Sequence, residues 1–325
     1  MGPLSKADHG TGAPRRVRSK LQLALEGVRQ SGYTTYQIHF PWGPYVGNSR
    51  LDFPLDGYGT AIKAAVQSRS KAPRRLECGL EMELALKLSD PAHAMTDSDW
   101  VSTTVEASNT GERYVISATT SSAEARAWGL TIIGTASLPF GTTWKAGGLL
   151  GYRYIRMSYD IYGVTGWQDT TGYGDLVYFD ELHDTRVLEY RVSYLLPLLG
   201  ILVREESASG PSVQLRAARI LWASANDEDR HLLRNKQSII TADAGGWLLE
   251  GGIQVRLATL ARGAVITLAG RYEYLAVNAE GDQVQTYYGD DPYFAGDETG
   301  QSIRGIDATL YQRRHTFGLT VIYTF

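Results

Sequence analysis

Beyond its first 18 or so residues, the chain alternates apolar and polar positions in runs longer than the roughly 5–6 residues of an ordinary soluble strand. The C-terminal run ATLYQRRHTFGLTVIYTF shows the pattern most fully. Phe317, Leu319, Val321, Tyr323 and Phe325 share one face, and Thr316, Gly318, Thr320, Ile322 and Thr324 share the other. From Gly246 to Thr259, Trp247, Leu249, Ile253, Val255 and Leu257 oppose Glu250, Gln254 and Arg256. From Ala264 to Ala276, Ile266, Leu268, Tyr272 and Tyr274 oppose Thr267, Arg271 and Glu273. A period of two is that of a strand whose faces meet different surroundings. Many long strands of this kind predict a transmembrane barrel, apolar outward to lipid and polar inward to the lumen. Tyr and Trp near the ends of the runs suit the aromatic girdles of such a barrel.

The connections alternate in length. Short turns fall near 70–75, 139–143, 205–212 and 261–264, and long polar stretches near 30–50, 91–127, 161–184, 226–242 and 277–308. They separate ten strands, at roughly 19–30, 51–69, 76–90, 128–139, 144–160, 185–204, 213–225, 243–260, 265–277 and 309–325. The expected protein is all-β: a flexible tail over 1–18, then a single ten-stranded antiparallel transmembrane β-barrel over 19–325. An even strand number puts both chain ends on the periplasmic side and the long loops outside. The predicted location is therefore a bacterial outer membrane.

Composition narrows this little. The net charge is −3, and Lys and Arg are spread along the chain, so nothing points to nucleic acid. A single cysteine, Cys78, excludes an intrachain disulfide framework and any multi-cysteine metal site, and no metal is expected. No run of about 18 apolar residues marks a membrane helix. The opening residues have no apolar core of a secretory signal. With the barrel pattern, that favours a mature exported form.

Two polar stretches carry candidate chemistry. Asp229 and His231 in WASANDEDRH stand two residues apart, hence on one side of an extended strand. A carboxylate beside an imidazole raises its basicity and equips it to take a proton from water. Asp97 and Asp99 in TDSDW have the same spacing, and two acids on one face repel, so one of them can hold a proton at neutral pH. Taken singly, each stretch reads as a solvated acidic loop. The strand plan puts both on the outer rim, where strands two to four places apart face each other across the mouth. Among the other histidines, only His183 has an acid two residues before it, Glu181, and it reads as a loop residue.

These residues resemble the omptin family of outer-membrane endoproteases. The family's DxDW element stands at Asp97–Trp100, and its W…DxDxH element at Trp222 with Asp227, Asp229 and His231. Further similarity covers LALEG at 23–27, LGYRYIR at 150–156, Tyr190–Ile201 with Pro197 and Gly200, and the YTF terminus. The resemblance implies an Asp229–His231 dyad that activates the attacking water, opposite an Asp97–Asp99 couple. It implies polypeptide substrates cut next to basic residues, with Asp227 as one acid of the specificity pocket. A second pocket acid, on the first strand, falls near Ser19, which implies a weaker or altered basic preference. It implies no cofactor, with lipopolysaccharide as an activator bound on the barrel exterior by Tyr152 and Arg156. Tyr154 replaces the acid between those two, and a third basic position falls at Ser193, near Arg191.

The expected partners are thus basic polypeptides, outer-membrane lipid and lipopolysaccharide, bound to a monomer. The main rival is a barrel whose acidic rim binds without cutting, as in an adhesin. A small porin is disfavoured because Arg216, Arg256, Arg271 and Glu273 can pair and plug a ten-strand lumen. A lipid-modifying barrel would need a serine nucleophile beside His231, and none is present.

Overall fold

A computed structural model describes residues 18–69, 76–102, 113–169, 174–207, 210–292 and 299–325. Of the tail read over 1–18, only Arg18 falls among them, and the turn at 70–75 lies outside the described residues. Among the described residues twelve strands form one closed antiparallel sheet. They are β1 (Arg18–Trp42), β2 (Tyr45–Pro54), β3 (Gly57–Arg69), β4 (Glu77–Lys87), β5 (Met95–Ser102) and β6 (Arg113–Phe140), then β7 (Trp144–Asp169), β8 (Leu176–Glu205), β9 (Ser212–His231), β10 (Lys236–Thr259), β11 (Val265–Tyr287) and β12 (Ser302–Thr324). In the lower ring, β1 pairs with β3, β4 follows β3, and β6 follows β4. In the upper ring, β2 and β5 take those two places between β1 and β6. From β6 the order runs consecutively to β12, which closes on β1. Every level therefore crosses ten strands, as the alternation predicted. The second predicted strand is broken in two at Leu55–Asp56, and the third, β4, is continued past a break over 88–94 by β5, which lies in the stretch read as a loop over 91–127.

Lys87 closes the first break by donating to the carbonyls of Leu55 and Asp56 at 3.3 and 2.6 Å. The Asp56 carboxylate caps the second break by accepting from the Ala92 amide at 2.7 Å. Backbone groups freed from the ladder thus find other partners.

The lower belt presents Leu23, Leu25, Ile62, Leu80, Leu84, Leu150, Leu199, Ile253, Leu319 and Val321 outward. Its upper edge carries aromatic side chains. Trp128 lies against Tyr154 with ring centres 5.0 Å apart, and the Arg219 guanidinium stands 4.7 Å from the ring centre of Trp247. Inside this belt the charges interlock. Arg153 grips Glu273 with two bonds of 2.7 and 2.8 Å, and Arg271 grips Glu26 with two of 2.9 and 2.8 Å. Lys63 joins Glu26 to Glu83, Arg314 reaches Glu273, and Arg216 reaches Glu81. Bidentate pairing suits guanidinium, and pairing is what makes charge tolerable away from water. Gly318 leaves room for it, since a Cβ there would lie 2.0 Å from the Glu26 carboxylate. Arg216, Arg271 and Glu273 belong to this network as expected. Arg256 does not: it stands exposed beside a bulge near the lower rim.

The strands run much further than predicted, and the long loops are correspondingly shorter. Above the aromatic edge the period stays at two but its sense reverses. On β11, Leu275, Val277 and Ala279 turn inward, while Asn278, Glu280 and Asp282 face outward. Water replaces lipid outside, so the inner face becomes the apolar one. The stretch 226–242, read as a loop, is a tight hairpin. β9 runs to His231, one 3-10 turn covers Leu232–Arg234, Asn235 turns left-handed at φ 49°, and β10 begins at Lys236. Above the charge layer lies an aromatic one, in which Phe53 stacks on Tyr190 at 4.0 Å and tilts against Tyr159 at 5.2 Å.

Glu273→Ala would strip Arg153 and Arg314 of their carboxylate at once. It is expected to lower unfolding stability in lipid vesicles by about 3–5 kcal/mol, read from urea titration of tryptophan fluorescence. The outward, solvated Glu280→Ala should stay within about 0.5 kcal/mol of wild type. Equal behaviour of the two variants would show that the lumen charges do not hold the barrel together.

Candidate active site

Asp227, Asp229 and His231 point into the barrel because β9 carries a bulge. Below it Arg216, Ala218 and Ile220 face inward, and above it Ala223, Ala225, Asp227 and Asp229 do. Even positions thus give way to odd ones. On the β10 side the register passes from Ala223↔Ala244 to Ile220↔Gly246, and on the β8 side from Ser224↔Leu195 to Ile220↔Leu198. β9 holds one residue more than either neighbour. Trp222 absorbs the insertion with φ 52° and stands 89 % exposed on the outer wall. A bulge re-aims every side chain beyond it.

The spacing-based pairing of Asp229 with His231 is met: imidazole Nε2 lies 2.9 Å from Asp229 Oδ2. Asp229 is wholly buried, while His231 keeps partial access to the mouth. With Nε2–H donating to the carboxylate, Nδ1 is the ring nitrogen left for a proton from the cleft. Asp97 and Asp99 come from β5, four places round the ring from β9. They pair with Leu51 and Ser49 of β2, and Leu51 is an inward, buried residue.

The two halves are close enough to sense each other's charge. Burial first, then the charges of Asp99 and Asp229, hold the Asp97 carboxyl well above the ordinary carboxylate range. Burial also raises Asp99, against the neighbouring Ser49 hydroxyl and the charges of Lys236 and His231. The couple thus favours holding a proton, as two acids on one face should.

Asp227 lies one step deeper on the same face, 3 % exposed. The Tyr190 hydroxyl and the Ile240 amide lie against its carboxyl without closing a well-formed hydrogen bond, and neither carboxylate oxygen has a partner. Burial, followed by the charge of Asp229, pushes it well above its usual range. Its first-strand neighbour is Tyr36, whose hydroxyl feels both Asp229 and Asp227. This corrects the expectation built on Ser19. Ser19 pairs with Ser68 near the lower end of β1, 17 residues from Tyr36, roughly 55 Å away at strand rise. No pocket on the upper rim includes it.

Sequence reasoning missed Tyr36, Tyr190 and Lys236. Lys236 stands directly across the β9–β10 ladder from His231 and is only 8 % exposed. A tight hairpin after His231 would have revealed it, and the left-handed Asn235 was the available signal. His183 does not join the site. Its Nε2 lies 3.6 Å from Asp180 and both are exposed. Tyr152 and Arg156 stand outward on β7, across from Ile132 and Trp128 of β6. Across β8, Arg156 meets Ser193, and the nearby Arg191 is engaged by Glu189 and Glu228. Among the described residues no three His, Cys, Asp or Glu are grouped to hold a metal ion.

A closed antiparallel ring with an apolar outer belt and a charged lumen is the architecture of a bacterial outer-membrane β-barrel. No family model matches the sequence, and no curated protein matches it. Among solved structures, the outer membrane protease OmpT from Escherichia coli is similar over 94 % of this chain and 97 % of its own, with a TM-score of 0.68 and 16 % identity. The translocator domain of autotransporter NalP from Neisseria meningitidis gives a TM-score of 0.34 at 12 % identity, covering 94 % of this chain and 88 % of its own. The toluene transporter TbuX from Ralstonia pickettii gives 0.31 at 8 %, with the same coverages. The first likeness establishes the fold, a ten-stranded outer-membrane β-barrel shared with OmpT and the one the omptin resemblance implied.

An acid with a raised native pKa binds its proton more tightly folded than unfolded. It therefore costs stability once the pH exceeds the ordinary carboxylate range, where the unfolded form ionises freely. Asp227→Asn is expected to raise unfolding stability at pH 7.5 by about 1–3 kcal/mol. The gain should shrink toward zero as the pH falls below that range, in urea titrations run across pH. A gain independent of pH would show that the Asp227 carboxyl is compensated in the folded protein.

Proposed function

We propose that the protein is an outer-membrane endopeptidase that hydrolyses polypeptides with an activated water at its outward-facing mouth. The observation that carries this reading is the bulged β9, which turns Asp229 and His231 inward to face the Asp97–Asp99 couple of β5. In the proposed step His231 Nδ1 takes a proton from water, and Asp229 holds the ring through Nε2. The water oxygen bonds to the scissile carbonyl carbon, and the carbonyl π electrons move onto its oxygen. The couple, retaining one proton between two carboxyls, hydrogen-bonds the water from the far side. Collapse of the intermediate breaks the C–N bond, and the imidazolium proton goes to the departing amine. No covalent enzyme intermediate forms.

Substrates with a basic residue at the cut suit Asp227. An unpartnered carboxylate in a buried, aromatic-walled recess gains most from a guanidinium or ammonium that supplies the missing partner. Tyr36 and Tyr190 add flat walls for the stem of such a side chain. Since Tyr36 stands on the first strand where a second acid was expected, the preference rests on one carboxylate and should be moderate. Tyr152 and Arg156, exposed on the outer wall, are the residues proposed to meet lipopolysaccharide. Their placement beside Trp128 also suits an aromatic girdle with a snorkelling arginine.

The test is cleavage of quenched fluorescent peptides containing Arg-Arg, Arg-Lys or Gln-Gln, by refolded protein with and without lipopolysaccharide. Wild type should cleave the basic peptides faster. Asp97→Ala and His231→Ala should each lower kcat by about 10²–10⁴-fold, and Asp227→Ala should flatten the preference between peptides. Arg156→Ala should blunt any stimulation by lipopolysaccharide. A well-folded wild type that cuts none of the peptides would end this reading and leave an acid-rimmed barrel that binds rather than hydrolyses.

A further inference from the structure

Lys236 is an unusual residue to find where it is. It opens β10 directly after the tight turn and pairs with His231 on β9 and Tyr287 on β11. More than nine-tenths of it is buried, yet it makes no hydrogen bond or ion pair among the described residues. The other nearby cation, Arg234 in the turn, is tied to Asp291 at 2.8 Å. Lys236 feels the charges of Asp97 and Asp99 from β5, Asp229 from β9, and Arg234, and it stands across the ladder from His231. It thus feels the charges of the Asp97–Asp99 couple and of Asp229, the two sides between which a scissile peptide would have to sit. A lone lysine there spends hydration without a fixed partner in return, which is ordinarily destabilising.

We infer that Lys236 is a fifth member of the catalytic site, its ammonium stabilising the negative charge that develops on the substrate carbonyl oxygen as water attacks. This rests on the hydrolytic reading above. When the carbonyl π electrons move onto oxygen, the couple offers a single proton as donor, while Lys236 offers three N–H donors with no acceptor assigned. A donor preorganised in a water-poor site acts where charge appears in the transition state and not in the ground state. The ammonium stays protonated throughout: the water proton still travels through His231 to the amine. A positive charge also offsets the mutual repulsion of Asp97, Asp99 and Asp229.

Lysine rather than arginine brings a pH limit. Burial and the charge of Arg234 bring its pKa down to about 8, against the opposing pull of Asp229, Asp99 and Asp97. The charge is present below that value and lost above it, so hydrolysis should fall as the pH rises through about 8.

The experiment compares full-length wild type, Lys236→Met and Lys236→Arg in lipid, with the same quenched peptides from pH 6 to 10. Lys236→Met should lose about 10²-fold in kcat with little change in KM, and its alkaline limb should vanish. Lys236→Arg keeps the charge to higher pH, so it should recover much of the rate and carry the limb upward. A merely structural lysine would not move that limb between variants. If Lys236→Met folds poorly by circular dichroism, the position of the limb in Lys236→Arg decides. A limb unmoved in Lys236→Arg, or an undiminished kcat in Lys236→Met, overturns the role of Lys236 and leaves the hydrolytic reading standing. Absence of cleavage by wild type at every pH takes both down.

Discussion

Strand β9 carries one residue more than its neighbours at Leu221–Trp222, and that insertion decides which way its acids point. A strand has only two faces, so an extra residue exchanges them for everything beyond it. Arg216 faces the lumen from below the bulge, and Asp227, Asp229 and His231 face it from above. Without the insertion the same spacing would put the dyad on the outer wall, in solvent and away from Asp97 and Asp99. The backbone strain is borne by Trp222, held left-handed at a cost on the order of 1–3 kcal/mol. Its indole stands free on the outer surface near the aromatic edge, a setting that suits an amphipathic ring.

Such a device is useful only on a frame that does not slip. Two of the lumen pairs in the lower belt span four places of the ring, Arg153 of β7 with Glu273 of β11 and Arg216 of β9 with Glu81 of β4. These contacts tie the ring across its diameter and fix register where hydrogen-bond ladders alone fix only neighbours. Above them Phe53, Tyr159 and Tyr190 form an apolar floor. The floor separates the charge layer from the mouth, so the two sets of carboxylates do not share counter-charges. Above the floor, burial and the neighbouring carboxylates raise the pKa of Asp97 and Asp227 well above the ordinary range.

How much of this was legible in the chain follows from what alternation can carry. Lipid outside and charge inside leave strong contrast on β12, from Phe317 to Phe325, and there the strand was readable to its end. The same contrast counted ten strands correctly. Past the membrane the contrast weakens and inverts, as on β11 from Leu275 to Asp282, so strands read as loops. The β9–β10 hairpin was lost for the same reason, and Lys236 with it. Pairings set by i, i+2 spacing survived, because spacing needs no contrast: Asp229 reached His231, and Asp97 reached Asp99. What failed was alignment over a stretch of few anchors. It put a pocket residue at Ser19, when the closed sheet brings Tyr36 to Asp227 instead. Bulges such as the one at Trp222 have no periodic signature at all, and only the closed sheet reveals them.

The two layers of charge differ in a way that bears on function. At mid-barrel Glu26, Glu273, Arg153 and Arg271 each touch an opposite charge, and little bonding capacity is left over. At the mouth both oxygens of Asp227, one of Asp97 and one of Asp229 have no partner among the described residues, and no hydrogen bond or ion pair of Lys236 is found among them. A fold able to pair nine lumen charges below has not been driven by stability to leave these open above. Open donors and acceptors in a confined cup are stabilised only when something enters that completes them. On the proposed reading a peptide would do so in three places at once: a basic side chain at Asp227, a water between the couple and the dyad, and a carbonyl oxygen toward Lys236. The disorder of partners at the mouth and the order of partners beneath it are therefore one arrangement, in which the frame below is closed so that the site above can stay incomplete until it is filled.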